Sequence, residues 1–231
     1  MNNLALATAL ATAPSSAFTE LRERPRFWFP LLLLVLTTAG LMYWYYSVVD
    51  IEWLKDTMFS TNPKLQQMTG EQKAAAMGMY SRNAMRWSSL VSMFIVIPLV
   101  FVVEALYLLV AGKITKLSPS FKHWFALVCW TSLPMLLSTI VAAILLLLTD
   151  TPQMTPSVLQ PLSLNELLVH VPAGGPGFGL FESLNIPALL TWALMIIGIR
   201  TWSQRSWAFS AIVTLLPWVI IYALWAFFAF R

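Results

Sequence analysis

Residues Trp87–Ala111, WSSLVSMFIVIPLVFVVEALYLLVA, decide the reading of this chain. A helix of about 25 residues rises about 37 Å, which covers the hydrocarbon core of a bilayer with some tilt. The stretch carries one ionisable side chain, Glu104. A charge near the middle of such a helix costs roughly 2.5–3.5 kcal/mol on insertion scales, a cost that Leu or Val would avoid. The carboxyl therefore calls for a reason: protonation, a cation beside it, or a wet cavity between helices. Pro98 lies in the interior of the same stretch, where a missing N–H bends a helix and frees a carbonyl that must find another donor. Tyr107 follows Glu104 one turn later on the same face.

Working outward, four more apolar segments have the character of spans: residues 27–49, 124–148, 185–202 and 207–230. The composition agrees, being 58% hydrophobic and only 10% charged, where a soluble domain carries roughly 25% charge. Pro30 falls in the first turn of the first span, where it is tolerated. Pro134 and Pro217 interrupt the third and fifth spans as Pro98 interrupts the second, so all three mark expected helix bends. Thr131, Ser132, Ser138 and Thr139 are placed to re-satisfy a bent backbone or to bond across helices. The fold class that follows is all-α: a polytopic membrane protein of five transmembrane helices.

Residues 1–26 read as a cytoplasmic N-terminal tail with one short amphipathic helix. Residues 1–13 lack the basic region of a signal peptide and are expected to be a poorly ordered lead-in. Pro14–Arg26 can form a surface helix capped by Ser15 or Ser16, with Phe18 and Leu21 on one side, lying on the membrane. The outer loop 50–86 mixes four acids with five bases. Asn62-Pro63 reads as a turn, and Thr69-Gly-Glu-Gln72 fits a capping box opening a helix that runs on into the second span. Five methionines fall in this loop: Met58, Met68, Met77, Met79 and Met85. Thioethers suit Cu(I), but Met77 and Met79 do not share a helix face and no His or Cys joins them, so packing is the expectation and no metal is assigned. The second outer loop, 149–184, has no Lys or Arg. A short interfacial helix is expected at 163–169, followed by a flexible turn at Gly174–Gly179.

Lys/Arg placement orients the spans. Arg22, Arg24 and Arg26, then Lys113, Lys116 and Lys122, then Arg200 and Arg205 mark one side. The short basic turns against the base-free loop 149–184 put the N-terminus in the cytoplasm and the C-terminus on the periplasmic or extracellular side. Arg200 is then on the side that Glu104 approaches, and pairing of the two is expected to fail only if they occupy opposite faces. His123, at the head of the third span, reads as a capping or snorkelling group.

Pro14-Ser-Ser-Ala-Phe18, Arg24-Pro-Arg-Phe27, Gly112-Lys113, Ser120-Phe-Lys-His123, Leu133-Pro134, Asn185-Ile-Pro187 with Trp192, Gly198-Ile199 and Pro217-Trp218 together resemble the Yip (Ypt/Rab-interacting protein) domain family, in its bacterial branch. The resemblance runs from about Pro14 to Arg231. It implies five spans with a cytoplasmic N-terminus, residues 27–231 forming the membrane domain. For eukaryotic members it implies binding of small GTPases and membrane-traffic factors; for some bacterial ones, work beside ABC exporters.

Nothing in the chain forms a catalytic constellation, a phosphate cradle or a cofactor motif, and no basic run suggests nucleic acid. The expected function is a non-enzymatic scaffold or accessory subunit of an inner-membrane complex, in contact with lipids and with other membrane subunits or a second copy. The alternatives are a small proton-coupled transporter using Glu104 and, by family analogy, a traffic or GTPase-interacting factor. Candidate functional residues are Glu104, Tyr107, Arg200 and His123.

Overall fold

The structure, a computed structural model, describes residues 1–61 and 63–231, the side chains of 63 and 64 excepted. The expected Asn62-Pro63 turn lies outside the described residues. In chain order the helices are α1 (Asn3–Thr12), α2 (Pro14–Glu23), α3 (Trp28–Val48), α4 (Ile51–Thr61), α5 (Pro63–Gln66), α6 (Gly70–Met79), α7 (Arg82–Ile114), α8 (Phe121–Thr131), α9 (Leu136–Leu148), α10 (Phe178–Ser183), α11 (Ile186–Ser203) and α12 (Trp207–Ala229). Among the described residues there is no β-strand, only an isolated bridge between Ser163 and Asn185. Five helical segments are long and apolar enough to cross a membrane: Trp28–Val48, Arg82–Ile114, Phe121–Leu148, Ile186–Ser203 and Trp207–Ala229. The chain is an all-α, five-span protein.

Prolines punctuate these helices in different ways. Pro98 and Pro217 sit inside helices that continue past them. Pro134 instead divides the third span, leaving a 3-10 turn at Leu133–Met135 between α8 and α9. There the Ser132 hydroxyl donates to the Val128 carbonyl at 2.8 Å and that of Thr131 to Leu127 at 2.9 Å, so side chains next to the break occupy backbone acceptors.

Two compact units divide the chain. The first comprises Met1–Val35, Ile95–Met135 and Pro187–Leu224. Its centre is α8, where every residue from Trp124 to Thr131 is buried. A helix apolar on all sides belongs inside a bundle. Around it pack Leu31 and Val35 of α3, Ala105 and Leu108 of α7, and Met195, Ile199 and Trp202 of α11. Glycine at 112 admits the Trp124 ring, which a Cβ there would meet at 3.2 Å.

The amino-terminal segment corrects the expectation of a loose tail. Asn2 caps α1 by accepting from the Ala5 N–H at 2.7 Å, and Leu6 and Leu10 are buried. In α2, Pro14 takes the first helical position behind Ala13, so neither Ser15 nor Ser16 is the cap; the Ser16 hydroxyl donates to the Ala13 carbonyl at 2.8 Å. Ala17, Phe18 and Leu21 are buried in the first unit's core. The apolar side of α2 therefore faces protein, where a membrane-surface helix would present it to lipid.

The second unit comprises Leu36–Phe94, Leu136–Ile186 and Trp225–Arg231. Its core joins Leu41, Tyr45 and Val49 to Leu54, Met85, Ala142, Leu146, Met154 and Leu159. The Tyr45 hydroxyl donates to the Met154 carbonyl at 2.8 Å, fastening a span to the second long loop. The capping box forms with both halves: the Gln72 N–H reaches the Thr69 hydroxyl at 3.3 Å, and the Thr69 N–H reaches the Gln72 side chain at 3.1 Å.

The expected continuous helix from that box into the second span is broken. Tyr80 leaves helical geometry with ψ 65°, and Ser81 starts α7 afresh by accepting from the Ala84 N–H at 3.2 Å. The expected helix at 163–169 appears as a single π turn, Asn165–Val169, whose Asn165 side chain both donates to and accepts from the Val171 backbone. The Gly174–Gly179 turn is shaped by contact as well as by freedom. Gly174 and Gly177 have φ of 83° and 78°, and a Cβ on Gly174 would sit 2.0 Å from the Thr61 carbonyl oxygen.

Candidate functional site

α7 buries one stripe and exposes another. Ala105 and Leu108 are fully buried, while Val103 (59% exposed), Leu106 (46%) and Val110 (56%) face outward. Glu104 stands at the border of the two, half-buried. Its electrostatic neighbour is Cys129 of α8, itself wholly buried. Among the described residues Glu104 has no hydrogen bond and no ion pair. The expected pairing with Arg200 does not occur: the Arg200 guanidinium lies over the Trp207 ring at 4.0 Å.

Tyr107 has a defined structural task. Its hydroxyl donates to the Val213 carbonyl of α12 at 2.7 Å. That carbonyl is the one residue 217 would bond in an unbroken helix, and residue 217 is proline. A side-chain O–H from α7 thus stands in for the N–H that Pro217 lacks. The Arg26 carbonyl is treated similarly: Pro30 offers it no donor, and the Trp130 indole reaches it at 2.6 Å. Directly after Val213, Thr214 is buried, and among the described residues its hydroxyl has no hydrogen-bond partner; the same holds for Thr191 of α11.

The end of α11 gathers the other sequence candidates. Arg22 donates to the Trp202 carbonyl at 2.7 Å, and the Trp202 indole donates back to the Phe18 carbonyl at 2.8 Å. These reciprocal bonds clasp α2 to α11, with Phe18 lying against Gly198. His123 bonds the Ser120 hydroxyl at 2.8 Å through Nδ1, and its ring meets Trp202 edge-on at 6.3 Å. Ser120 precedes α8 without a side-chain capping bond to its backbone N–H groups, so His123 holds the hydroxyl of the residue at the helix start and not the backbone. Arg205 reaches the Thr115 carbonyl at the end of α7 at 2.5 Å and lies over the Phe209 ring. Arg200, Arg205, Ser15, Thr19, Thr201 and Gln204 line one open cavity of about 320 Å³.

Two arrangements escaped the sequence. Arg82 and Arg86 donate to the Ser47 carbonyl at 2.8 and 3.4 Å, closing the end of α3. A cavity of about 480 Å³ in the second unit collects Met42, Met58, Met79, Met85 and Met93. The methionine richness of the first loop was visible, but these five come from four helices, and phase within one helix could not reveal their convergence. Among the described residues no three of His, Cys, Asp and Glu stand together as metal ligands.

Outside the spans two carboxyls are perturbed in opposite directions. A hydrogen bond from the Met1 ammonium holds Glu20 below the usual carboxylate range despite desolvation, with Arg26 and Arg24 adding attraction. Burial raises Glu182, and the charge of Glu166 raises it further.

Chemically, the first unit offers a lone carboxyl beside an apolar outward face and a polar basic cavity at the end of a span. No curated protein and no solved structure matches the chain. The Yip1 domain model matches residues 8–228. The matched stretch contains Phe18 with Gly198, Gly112 with Trp124, and Pro217 with Tyr107, the contacts that build the first unit. This five-span membrane protein belongs to the Yip1 domain family.

Proposed function

We propose that this protein is a non-enzymatic scaffold or accessory subunit of an inner-membrane complex, and that Glu104 is its polar contact with a helix of another subunit. One observation carries the reading: a half-buried carboxyl inside a span, without hydrogen bond or ion pair among the described residues, beside the exposed apolar stripe Val103, Leu106 and Val110. Leaving such a group unmatched in hydrocarbon is costly, and a donor from a neighbouring helix removes the cost. The stripe supplies packing and the carboxyl supplies register. The family resemblance makes an ABC exporter one complex to examine first.

A photo-crosslinking residue at Val103, in chains extracted with mild detergent, tests this. The expected result is a discrete crosslinked partner that Glu104→Leu abolishes and Glu104→Gln, which still hydrogen-bonds, largely retains. Recovery only as a lone monomer, with no adduct from either face of α7, overturns it. Substrate flux in liposomes that vanishes in Glu104→Gln would assign the carboxyl to transport instead.

A further inference from the structure

The cavity at the end of α11 is built from three pieces of chain. Ser15 and Thr19 are one helical turn apart on α2; Arg200 and Thr201 belong to the last turn of α11; Gln204 and Arg205 belong to the turn before α12. All six lining residues are polar, two are cations, and no carboxylate is among them. The nearest acid in sequence, Glu20, is engaged by the Met1 ammonium at 2.9 Å and by Arg26 at 2.8 Å.

Both guanidinium groups are held in place. Arg200 lies 4.0 Å over Trp207, and Arg205 lies 4.6 Å over Phe209 with one N–H on the Thr115 carbonyl. Stacking fixes a planar fork without using its N–H donors, so little rotamer entropy remains to be lost on binding. Two like charges lining one cavity repel until an anion enters between them. The volume of about 320 Å³ admits a phosphate group with several waters, a water's share being about 30 Å³. The cavity opens where a membrane-spanning helix ends, the depth at which lipid headgroups lie.

We propose that this cavity binds a phosphate group through Arg200 and Arg205, with the Ser15 hydroxyl as a third donor. The chemistry fits the phosphodiester of an anionic phospholipid and fits free phosphate, and the experiment separates them. It is independent of the role given to Glu104.

The full-length chain is placed in nanodiscs of phosphatidylcholine with a minority of phosphatidylglycerol, and the lipid retained after extraction is counted by native mass spectrometry. Inorganic phosphate is titrated separately by calorimetry. The expected result is retention of phosphatidylglycerol over phosphatidylcholine, reduced about tenfold or more in Arg200→Gln/Arg205→Gln. Lys122→Gln, which removes a charge away from the cavity, leaves it unchanged.

Because Arg205→Gln also removes the bond to Thr115, Ser15→Glu serves as the second variant. It sits in the first turn of α2, where an acid favours the helix, and places a carboxylate among the lining groups. It abolishes retention while leaving thermal stability intact. Phosphate binding with the same arginine dependence, and no lipid preference, identifies free phosphate as the ligand. Equal retention of both lipids together with no phosphate binding, or variants that behave like Lys122→Gln, overturns the proposal.

Discussion

Single side chains in this protein repair backbone that proline has disturbed, and the clearest case is testable as a cycle. Tyr107→Phe leaves the Val213 carbonyl without its donor, at a cost of about 1–3 kcal/mol in a medium that offers no water. Pro217→Ala returns an N–H to residue 217. In that background Tyr107→Phe is expected to cost a few tenths of a kcal/mol, and thermal melts of the four variants in detergent measure the coupling. Equal loss in both backgrounds would show that the hydroxyl serves something else. Glu182 makes a prediction of opposite character. Its carboxyl is raised from the ordinary 4.5 by burial and by Glu166. As pH rises through 4.5 the unfolded chain ionises first, so native stability falls until the folded group has ionised too. Glu182→Gln should therefore stabilise the protein at about pH 7 and change little at about pH 4. The sequence displayed each proline and named Tyr107, yet not the bond between Tyr107 and Val213. Their separation of 106 residues lies beyond any local pattern.

At the scale of elements, glycine sets how closely helices and loops approach. A Cβ at Gly198 of α11 would sit 2.5 Å from a methyl of Leu127 and 3.5 Å from Phe18. Both neighbours are fully buried, so Gly198→Ala is expected to cost about 1–3 kcal/mol by overpacking and to loosen α2 from α11. Protease sensitivity near Arg24–Arg26 would report the loosening, and unchanged cleavage would argue against the clasp. At Gly174 the intruding Cβ meets backbone, the Thr61 carbonyl, and φ is 83°. Gly174→Ala should destabilise the second unit more than Gly198→Ala does the first. The spans were legible because hydrocarbon permits only apolar helical runs, and the boundary residues fell within a few positions of those expected. The ends of α6 and α7 were not, because Tyr80 and Ser81 stop and restart a helix amid good helix formers. Nor was the fate of α2: Phe18 and Leu21 show the same spacing whether a helix lies on lipid or against protein.

For the molecule as a whole, sidedness is the property that charge placement argues and chemistry can check. The chain has one cysteine, Cys129, which is fully buried, so introduced thiols will be labelled over a low background. Ser118→Cys, in the basic turn after α7, should react only when the reagent reaches the cytoplasm. Gln153→Cys, in the base-free loop, should react from the opposite face. Reversed labelling would invert the orientation while leaving five crossings in place.

The clasp between α2 and α11 has a consequence in time. The Trp202 indole reaches back to Phe18 across 184 residues. At about 5–20 residues per second, roughly 10–40 s of synthesis separate the two ends of that bond. Throughout that interval the nascent amino-terminal helices lack the α11 side of their dock, and their full seating becomes a late event of biogenesis. A ribosome stalled before the fourth crossing would thus display an amino-terminal segment without its clasp, offering quality-control proteases a ready mark of incomplete assembly.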